Sequence, residues 1–192
     1  MNVVGLLLAA GSATRFGSDK LQHSLPHGVA IAVQAARHLR LAVPRVVSAV
    51  RPGAQELAQS LAAEGVEVVV CENAAEGMGA SLACAARAAG PADGYLVALA
   101  DMPFVRPSSI AAVRDALAGG APLAAPFWRM RRGHPVGIAG QFFAELLNLH
   151  GDEGAKALLA ANPRRLVKIP VGDPGVIRDI DTPADLAPPL RI

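Results

Sequence analysis

The sequence predicts an α/β fold with a mostly parallel central sheet, and three observations support that class. Short apolar strand candidates alternate with alanine-rich helical segments along most of the chain, as in proteins built from βα units. Hydrophobic residues make up 52% of the chain but aromatic residues only 4%, which suits Ala, Val and Leu helices packed on a buried sheet. The length of 192 residues fits a single domain over 1–192 and leaves little room for a second.

The first half of the chain shows the clearest alternation of strands and helices. Val3–Ala9 is a continuous apolar run bounded by a glycine loop, as expected of a central strand. The remaining predicted strands of this half are Arg45–Val50, Val66–Cys71 and Tyr95–Ala100, and its predicted helices are Val29–Leu41, Gln55–Glu64, Gly79–Ala89 and Pro107–Leu117.

The pattern changes after the fourth predicted helix. Two apolar runs, Leu123–Pro126 and Val136–Ala139, flank a basic turn at Trp128–Gly133, and this arrangement predicts a hairpin instead of another βα unit. The elements predicted after it are helices near Gln141–Leu149 and Asp152–Ala161, strands at Leu166–Pro170 and Val176–Ile180, and a helical turn at Thr182–Leu186 with Pro183 near its first position.

Charge and cysteine content argue against several classes of protein. A formal net charge of +2 is too small to indicate a nucleic-acid or membrane partner. Cys71 and Cys84 have neither CxxC spacing nor a neighbouring histidine cluster, so reduced thiols are predicted instead of a disulfide or a zinc site. The apolar N-terminal run lacks the basic region of a signal peptide, and no stretch reaches transmembrane length. The sequence therefore predicts a cytoplasmic protein.

The loop after the first strand lies where open α/β sheets bind their ligands. Its small residues Ala9, Ala10 and Gly11 let backbone amides approach phosphate oxygens closely. Arg15 can hold a phosphate through two hydrogen bonds, and Lys20 supplies a compact positive charge for the α-phosphate. The spacing matches neither a Walker A loop nor the GxGxxG fingerprint. An ordinary βα loop with a surface Arg and Lys is the alternative interpretation.

Acidic residues follow two of the predicted strands. Asp101 comes directly after Tyr95–Ala100, where a carboxylate suits Mg²⁺, although an Asp that caps the following turn is the alternative. Asp179 and Asp181 are two residues apart and would share one face of an extended strand. Either could supply a second metal ligand, and Asp181 could instead cap the turn that starts at Thr182.

Six motifs occur in order along the chain. They are Leu-Ala-Ala-Gly-x3-Arg-Phe-Gly-x2-Lys from Leu8 to Lys20, and the segments Glu76–Leu82, Ala100–Val105, Arg132–Val136, Gly151–Ala155 and Asp179–Pro183. Their order and spacing together resemble the MobA-like NTP transferases, a family of Mg²⁺-dependent nucleotidyltransferases with a three-layer, Rossmann-like fold. Within that family the motifs are similar to those of the molybdenum cofactor cytidylyltransferases, which join CMP to molybdopterin.

The resemblance implies specific roles for the residues in these motifs. Catalytic roles fall to Lys20, Arg15 and Asp101, and the metal ligands would be Asp101 and Asp181, with Asp179 as the alternative second ligand. The implied nucleotide-binding residues are Leu8, Ala9, Ala10, Gly11, Gly17, Gly77, Gly79 and Ser81. The last three could equally be small residues that a helix start requires. The resemblance also implies a nucleotide-binding half at about 1–105 and an acceptor-binding half at about 106–192.

The identities of the base and the acceptor are predicted from the same motifs. Leu-Ala-Ala-Gly resembles the cytidylyltransferase form of the loop, and the methyl group of Ala10 would narrow the pocket in favour of a pyrimidine, so CTP is favoured over GTP. The acceptor would be a phosphorylated molecule such as molybdopterin, bound near His134 and Asp152, and a molybdoenzyme or its chaperone would receive the product. The segment at 21–28, with His23 and His27, departs from the family pattern and leaves the acceptor open.

Alternative interpretations accompany these predictions. The basic group formed by Arg129, Arg131, Arg132 and His134 either surrounds an anionic acceptor or is a solvated hairpin tip. Another phosphate monoester, such as a sugar phosphate, could replace molybdopterin. A dinucleotide-dependent oxidoreductase is a second class, which the missing GxGxxG fingerprint disfavours. A nucleotide-binding chaperone that holds a cofactor for a target enzyme is a third.

Overall fold

An eight-stranded sheet runs through the part of the chain that the computed structural model describes, residues 1–11 and 19–186. Its strands are β1 (Val3–Ala9), β2 (Arg45–Val50), β3 (Glu67–Val70), β4 (Gly94–Leu99), β5 (Leu123–Trp128), β6 (Arg131–Arg132), β7 (Val136–Ala139) and β8 (Leu166–Pro170). The α-helices are α1 (Ile31–Ala42), α2 (Gln55–Ala63), α3 (Met78–Ala89), α4 (Pro107–Ala118), α5 (Phe143–Leu147) and α6 (Ala155–Ala161).

The strand order is β3-β2-β1-β4-β7-β5-β6, and β8 pairs with β5. Strands β3, β2, β1 and β4 form one parallel block, in which Leu6 of β1 lies opposite Val47 of β2 and Val97 of β4. Strand β7 lies antiparallel between β4 and β5, so the two strands of the predicted hairpin, β5 and β7, pair directly. Strand β6 lies within the predicted turn and pairs with the end of β5. The predicted α/β class with a mostly parallel central sheet is confirmed.

Helices cover both faces of the sheet, which gives the three layers. On β1, Val3 and Leu7 belong to the apolar cluster that includes helices α1, α2 and α4, while Leu6 and Leu8 belong to the cluster with α3, α5 and α6. This division follows from the two-residue period of a strand that is buried on both faces. A side chain at Gly5 would meet Leu39 of α1 at 2.9 Å, so glycine lets that helix pack closely on the sheet.

The helices are short, with at most 12 residues each in the α-helical elements. Within residues 1–11 and 19–186, no helix has the length and apolar character needed to cross a membrane. Helix α6 begins at Ala155, three residues later than predicted, because Gly151 and Gly154 have positive φ values of 64° and 50°. Near the predicted helix at Gln141–Leu149, a 3₁₀ turn at Gly140–Phe142 leads into α5.

The strand predicted at Val176–Ile180 is wrong. A 3₁₀ turn covers Pro174–Ile177, and the Asp173 carboxylate accepts a hydrogen bond from the Gly175 amide at its start. The backbone groups that a strand neighbour would have paired are bonded to loops instead. The carbonyl oxygen of Val176 accepts from the His134 amide at 2.8 Å, and the Ile180 amide donates to the carbonyl oxygen of Asp101 at 2.9 Å.

Candidate active site

A cleft of about 830 Å³ opens at the carboxyl ends of β1, β2 and β4. Ligand sites in open α/β sheets lie at this edge. The described residues that line it include six charged side chains, the cations Lys20 and Arg51 and the acids Glu72, Asp101, Asp152 and Asp181. The cleft therefore combines space for a nucleotide with both signs of charge.

Lys20 lies between two carboxylates on the floor of this cleft. Its Nζ atom donates to Asp101 Oδ2 at 3.0 Å and to Asp181 Oδ1 at 3.4 Å. The exposed fraction of the side chain is 11% for Lys20, 25% for Asp101 and 53% for Asp181. Burial is the largest single influence and lowers the pKa of Lys20, but the charges and hydrogen bonds of the two carboxylates together raise that pKa above its usual value. Lys20 is therefore a permanent cation at working pH.

Three elements of the fold bring these residues together. Asp101 follows β4, and Lys20 begins a 3₁₀ turn, Lys20–Gln22, that leads towards α1. The segment with Asp181 is fastened to Asp101 by the hydrogen bond from the Ile180 amide. Next to it, Asp185 accepts hydrogen bonds from the Thr182 amide at 2.9 Å and from the Asp181 amide at 3.3 Å. The position of Asp181 is thus set by the backbone hydrogen bond of Ile180 and by the Asp185 carboxylate.

Asp179 joins the same group although no strand forms there. One carboxylate oxygen from each of Asp101, Asp179 and Asp181 lies within 4.8 Å of the others, a spacing that a metal ion could bridge. Hard oxygen donors of this kind suit Mg²⁺ or Mn²⁺, which bind one or two protein carboxylates together with phosphates. The donor set therefore fits the divalent cation that the sequence predicted, and it adds Asp179 to the two predicted ligands.

The start of α3, with Gly77 before it, packs against the loop before α6. The Gly79 amide donates to the carbonyl oxygen of Gly151 at 2.7 Å, and a side chain at Gly79 would clash with the carbonyl oxygen of His150. Gly77 has a φ of 122° and lies against the Asp152 carboxylate. Glycine is therefore required at both positions by close backbone approach and conformation, independently of any ligand.

The predicted nucleotide-binding residues divide into three groups in the structure. Leu8, Ala10, Gly11, Gly77 and Ser81 line the cleft, as does Asp152 from the predicted acceptor set. Ala9 is buried in the core beneath the loop, and the Gly79 amide is bonded to Gly151, so neither of them lines the cleft. Gly17, and Arg15 from the predicted catalytic set, lie outside the described residues.

His134 is not among the residues that line the cleft. It borders a small cavity between α1, β4 and the chain after Asp101, and within the described part of the chain its buried Nδ1 atom has no hydrogen-bond partner. Burial, with a smaller contribution from Arg132, lowers the pKa of His134 to about 4, against the opposing influences of the Val97 carbonyl and Asp179. The ring is a neutral, packed group, and the geometry gives no direct support to its predicted acceptor role.

Arg51 is a cleft residue that sequence reasoning did not assign. It follows β2, and its Nη2 atom lies 3.7 Å from Asp19 Oδ2, while 43% of its side chain is exposed. Asp19 immediately precedes Lys20, so this pair links the end of β2 to the loop that carries the central cation. Its position after a parallel strand was the available signal, because the carboxyl ends of such strands meet at one edge.

Comparisons with known proteins identify the family and the fold of the chain. Residues 5–166 match the MobA-like NTP transferase domain. The curated relative nicotine blue oxidoreductase of Paenarthrobacter nicotinovorans is 29% identical over 189 residues, which cover 94% of this chain and 92% of the relative. The crystal structure of Rv0371c from Mycobacterium tuberculosis H37Rv has a TM-score of 0.83 at 27% identity, over 96% of this chain and 94% of that chain.

Two further solved structures extend the comparison. A manganese complex of Rv0371c matches with a TM-score of 0.80 at 25% identity, over 96% of each chain. Molybdopterin-guanine dinucleotide biosynthesis protein A from Archaeoglobus fulgidus shares the fold, with a TM-score of 0.67 at 21% identity over 95% of this chain and 94% of that chain. The domain match spans most of the chain, so the protein belongs to the MobA-like NTP transferase family, a membership that supports nucleotidyltransferase activity.

Proposed function

We propose that the protein transfers CMP from CTP to the phosphate group of molybdopterin and releases pyrophosphate. The observation that carries this proposal is the position of Lys20 between Asp101 and Asp181 on the floor of the cleft. A nucleoside triphosphate needs both a cation for its phosphates and carboxylates for the metal that accompanies it. The cleft volume of about 830 Å³ lies within the range of small-molecule sites.

A divalent cation, for which we propose Mg²⁺, would be held by Asp101 and Asp181 with Asp179 beside them. When bound it would neutralise negative charge on the triphosphate and favour attack at the α-phosphorus. The hard oxygen atoms of the three carboxylates support this assignment. The manganese complex of the relative Rv0371c supports divalent-cation binding in this family.

The chain's own residues act by position and charge. Lys20, with Arg15 and the amides of the first loop, would hold the phosphates and stabilise the negative charge that develops on the α-phosphoryl oxygens. An oxygen of the acceptor phosphate forms the new bond to the α-phosphorus, and the bond from that phosphorus to the oxygen bridging the β-phosphate breaks. The acceptor phosphate is anionic near neutral pH, so the transfer needs no general base.

Selection of CTP is proposed to depend on Ala10, which lines the cleft and is 7% exposed. Its methyl group would leave less room for the larger bicyclic base of GTP. We expect Ala10→Gly to raise turnover with GTP relative to turnover with CTP. Ala9→Gly is the matched control, because Ala9 is buried beneath the same loop and does not line the cleft. Equal nucleotide preference in Ala10→Gly and the wild type would remove this residue from base selection.

The proposed reaction is tested by pyrophosphate release with Mg²⁺, offering CTP and GTP separately, with and without molybdopterin. We expect release that requires both CTP and molybdopterin. More efficient turnover of GTP would overturn the base preference, and release with a sugar phosphate in place of molybdopterin would reassign the acceptor. Binding of CTP without any release of pyrophosphate would favour the chaperone.

A second candidate function is oxidoreduction, favoured by the near-full-length match to the relative named nicotine blue oxidoreductase. The same cleft would then hold a dinucleotide cofactor instead of CTP. Titration with NADH and NADPH, followed by the fluorescence of the nicotinamide ring, separates the two functions. Saturable binding of either cofactor, together with no pyrophosphate release from any NTP, would favour the oxidoreductase.

A further inference from the structure

Lys20 contacts the carboxylates that would hold the divalent cation. Its Nζ atom lies 3.0 Å from Asp101 Oδ2 and 3.4 Å from Asp181 Oδ1, and oxygens of these two residues also belong to the three-carboxylate group. Asp179, the third member of that group, is not among the hydrogen-bond partners of Lys20. The ammonium group of Lys20 thus forms ion pairs with two of the three candidate metal ligands.

A divalent cation and this ammonium group compete for the same place. Mg²⁺ binds carboxylate oxygens at about 2.0–2.1 Å, so an ion bound to Asp101 and Asp181 would lie within a few ångströms of the present position of Nζ. Two cations at that separation repel each other in a site where the Lys20 side chain is only 11% exposed. The present position of Lys20 therefore opposes metal binding to Asp101 and Asp181, and a movement of Lys20 away from them would relieve the repulsion.

A bound triphosphate would offer Lys20 an alternative anionic partner in the cleft. Lys20 and Arg51 are the two cations among the described residues that line the cleft, and Arg51 already lies near Asp19. A bound triphosphate adds several negative charges to the cleft and offers Lys20 new acceptors, while the metal takes over Asp101 and Asp181. Each cation then has an anionic partner.

We propose that Lys20 occupies the cation site in the absence of nucleotide and exchanges places with the divalent cation when nucleotide binds. This inference depends on the proposed nucleotidyltransferase function, and it adds a rule for the order of binding. Because the exchange links the two ligands, metal and nucleotide each raise the affinity of the protein for the other. The free protein binds the metal weakly, and the site is assembled only with its substrate.

Manganese binding tests the exchange without requiring turnover. The free Mn²⁺ concentration is followed by electron paramagnetic resonance in titrations of the wild type, Lys20→Met and Lys20→Arg, each with and without CTP and without acceptor. In the absence of CTP we expect Lys20→Met to bind Mn²⁺ about tenfold or more tightly than the wild type, because a competing charge is gone. Lys20→Arg keeps the charge, so we expect its affinity to stay close to that of the wild type.

With CTP present we expect Lys20→Met to bind Mn²⁺ more weakly than the wild type, because the variant lacks the cation that holds the triphosphate. Lys168→Met is the matched control, since Lys168 is an exposed residue of β8 that lies over the Phe127 ring. Its titrations should follow the wild type in both conditions. Thermal unfolding of each variant shows that the compared proteins are folded.

Two results would overturn the exchange. One is equal or weaker Mn²⁺ binding by Lys20→Met than by the wild type without CTP, and the other is a wild-type affinity for Mn²⁺ that CTP does not change. Pyrophosphate release by the same wild-type preparation is measured separately. Release without the predicted Mn²⁺ pattern would reject the exchange and keep the proposed function, whereas the pattern without release would keep the exchange and reject the transfer reaction.

Discussion

Two aspartates of the C-terminal segment, Asp173 and Asp181, have opposite surroundings. Asp173 is 3% exposed, and its carboxylate accepts hydrogen bonds from the Arg106 amide at 2.8 Å, the Ser109 hydroxyl at 2.8 Å and the Gly175 amide at 3.0 Å. The side chain of Asp181 is 53% exposed, and Lys20 contacts it at 3.4 Å.

The difference separates a structural carboxylate from one that is available to a ligand. Asp173 is surrounded by donors that belong to the fold, and it ties the Pro174–Ile177 turn to the start of α4. Asp181 lies in an open cleft with most of its hydrogen-bonding capacity left for a cation. Loss of the Asp173 carboxylate should therefore lower the free energy of unfolding. Loss of the Asp181 carboxylate, or of its partners, should lower turnover.

The largest expected effect is on turnover in Asp101→Asn. This change removes one carboxylate charge from the centre of the site while keeping the shape of the side chain. We expect pyrophosphate release to fall by ~10²–10³, the usual cost of losing one electrostatic contact in a catalytic site. Lys20→Ala should cause a loss of similar size.

Thermal unfolding accompanies the turnover assay for these variants. Asp115→Asn is the control, because Asp115 is exposed and pairs with its neighbour Arg114 at the surface. We expect wild-type turnover for Asp115→Asn and near-wild-type melting temperatures for all three variants. Near-normal turnover in both Asp101→Asn and Lys20→Ala would reject the roles assigned to them.

Asp173→Ala is expected to give the converse result. The change leaves the Arg106 amide, the Ser109 hydroxyl and the Gly175 amide without their buried acceptor. We expect the free energy of unfolding, measured by urea denaturation, to fall by about 3 kcal/mol. Turnover per folded molecule should stay close to that of the wild type. A variant with normal stability and a large loss of turnover would make Asp173 a functional residue and remove the contrast.

His134 lies between the surroundings of Asp173 and those of Asp181, and its ionisation makes the stability of the protein depend on pH. Its amide donates to Val176 next to the Asp173 turn, and Asp179 of the carboxylate group influences its ring. The pKa of the ring is about 4 in the folded protein, below its usual value of 6.5. Between these pH values the unfolded chain binds a proton that the folded chain does not, so stability falls as pH falls.

The loss attributable to His134 is at most about 3 kcal/mol between pH 6.5 and 4. Urea denaturation across this range, compared with His134→Gln, measures it. We expect the variant to show a weaker dependence on pH, and the pKa of His38, which burial also lowers, should supply part of what remains. Parallel pH profiles for the two proteins would contradict the assignment to His134.

Asp185→Ala is expected to show the smallest effect. Asp185 hydrogen-bonds the Thr182 hydroxyl at 2.7 Å and the amides of Thr182 and Asp181, so its carboxylate is well supplied with donors but exposed to solvent. We expect Mn²⁺ affinity in the presence of CTP to fall by roughly threefold, because Asp181 is held less firmly. A loss of Mn²⁺ affinity as large as the one that Asp101→Asn shows in the same titration would mean that Asp185 itself contacts the metal or the nucleotide.

The sequence predicted the fold best where burial alone decides the structure. The bounds of β1, β2 and β7 agree with the predictions, since continuous or alternating apolar runs between turn residues have few other uses. The bounds of β8 also agree, although three of its five residues are exposed. The predicted strand at Val176–Ile180 was wrong because its backbone groups bond to loops and not to a neighbouring strand, although Val176 and Ile180 are buried in the core. A side chain at Gly133 would clash with the Val176 carbonyl, and one at Gly175 would clash with the Phe104 carbonyl. Such contacts between distant loops leave no local period in the sequence.

The sequence predicted one part of the candidate site but not the other. Lys20 and Asp101 follow parallel strands of one block, so their meeting at the sheet edge follows from topology. The approach of Asp179 to Asp101 and the burial of His134 do not, because both involve the segment after β8, whose Val176 and Ile180 bond to His134 and Asp101. Residues whose role depends on the packing of separate loops lie beyond what spacing along the chain indicates.

The hydrogen bond from Gly79 to Gly151 is a joint, made of backbone atoms alone, between the start of α3, which holds predicted nucleotide-binding residues, and the loop with the predicted acceptor residue Asp152. Other side chains in the two segments could therefore diverge during evolution without changing the distance between the segments. A family built on this joint could exchange one base or one acceptor for another by separate mutations, while the geometry of transfer is inherited unchanged. The joint itself tolerates little variation, because a side chain at Gly79 would force the two loops apart.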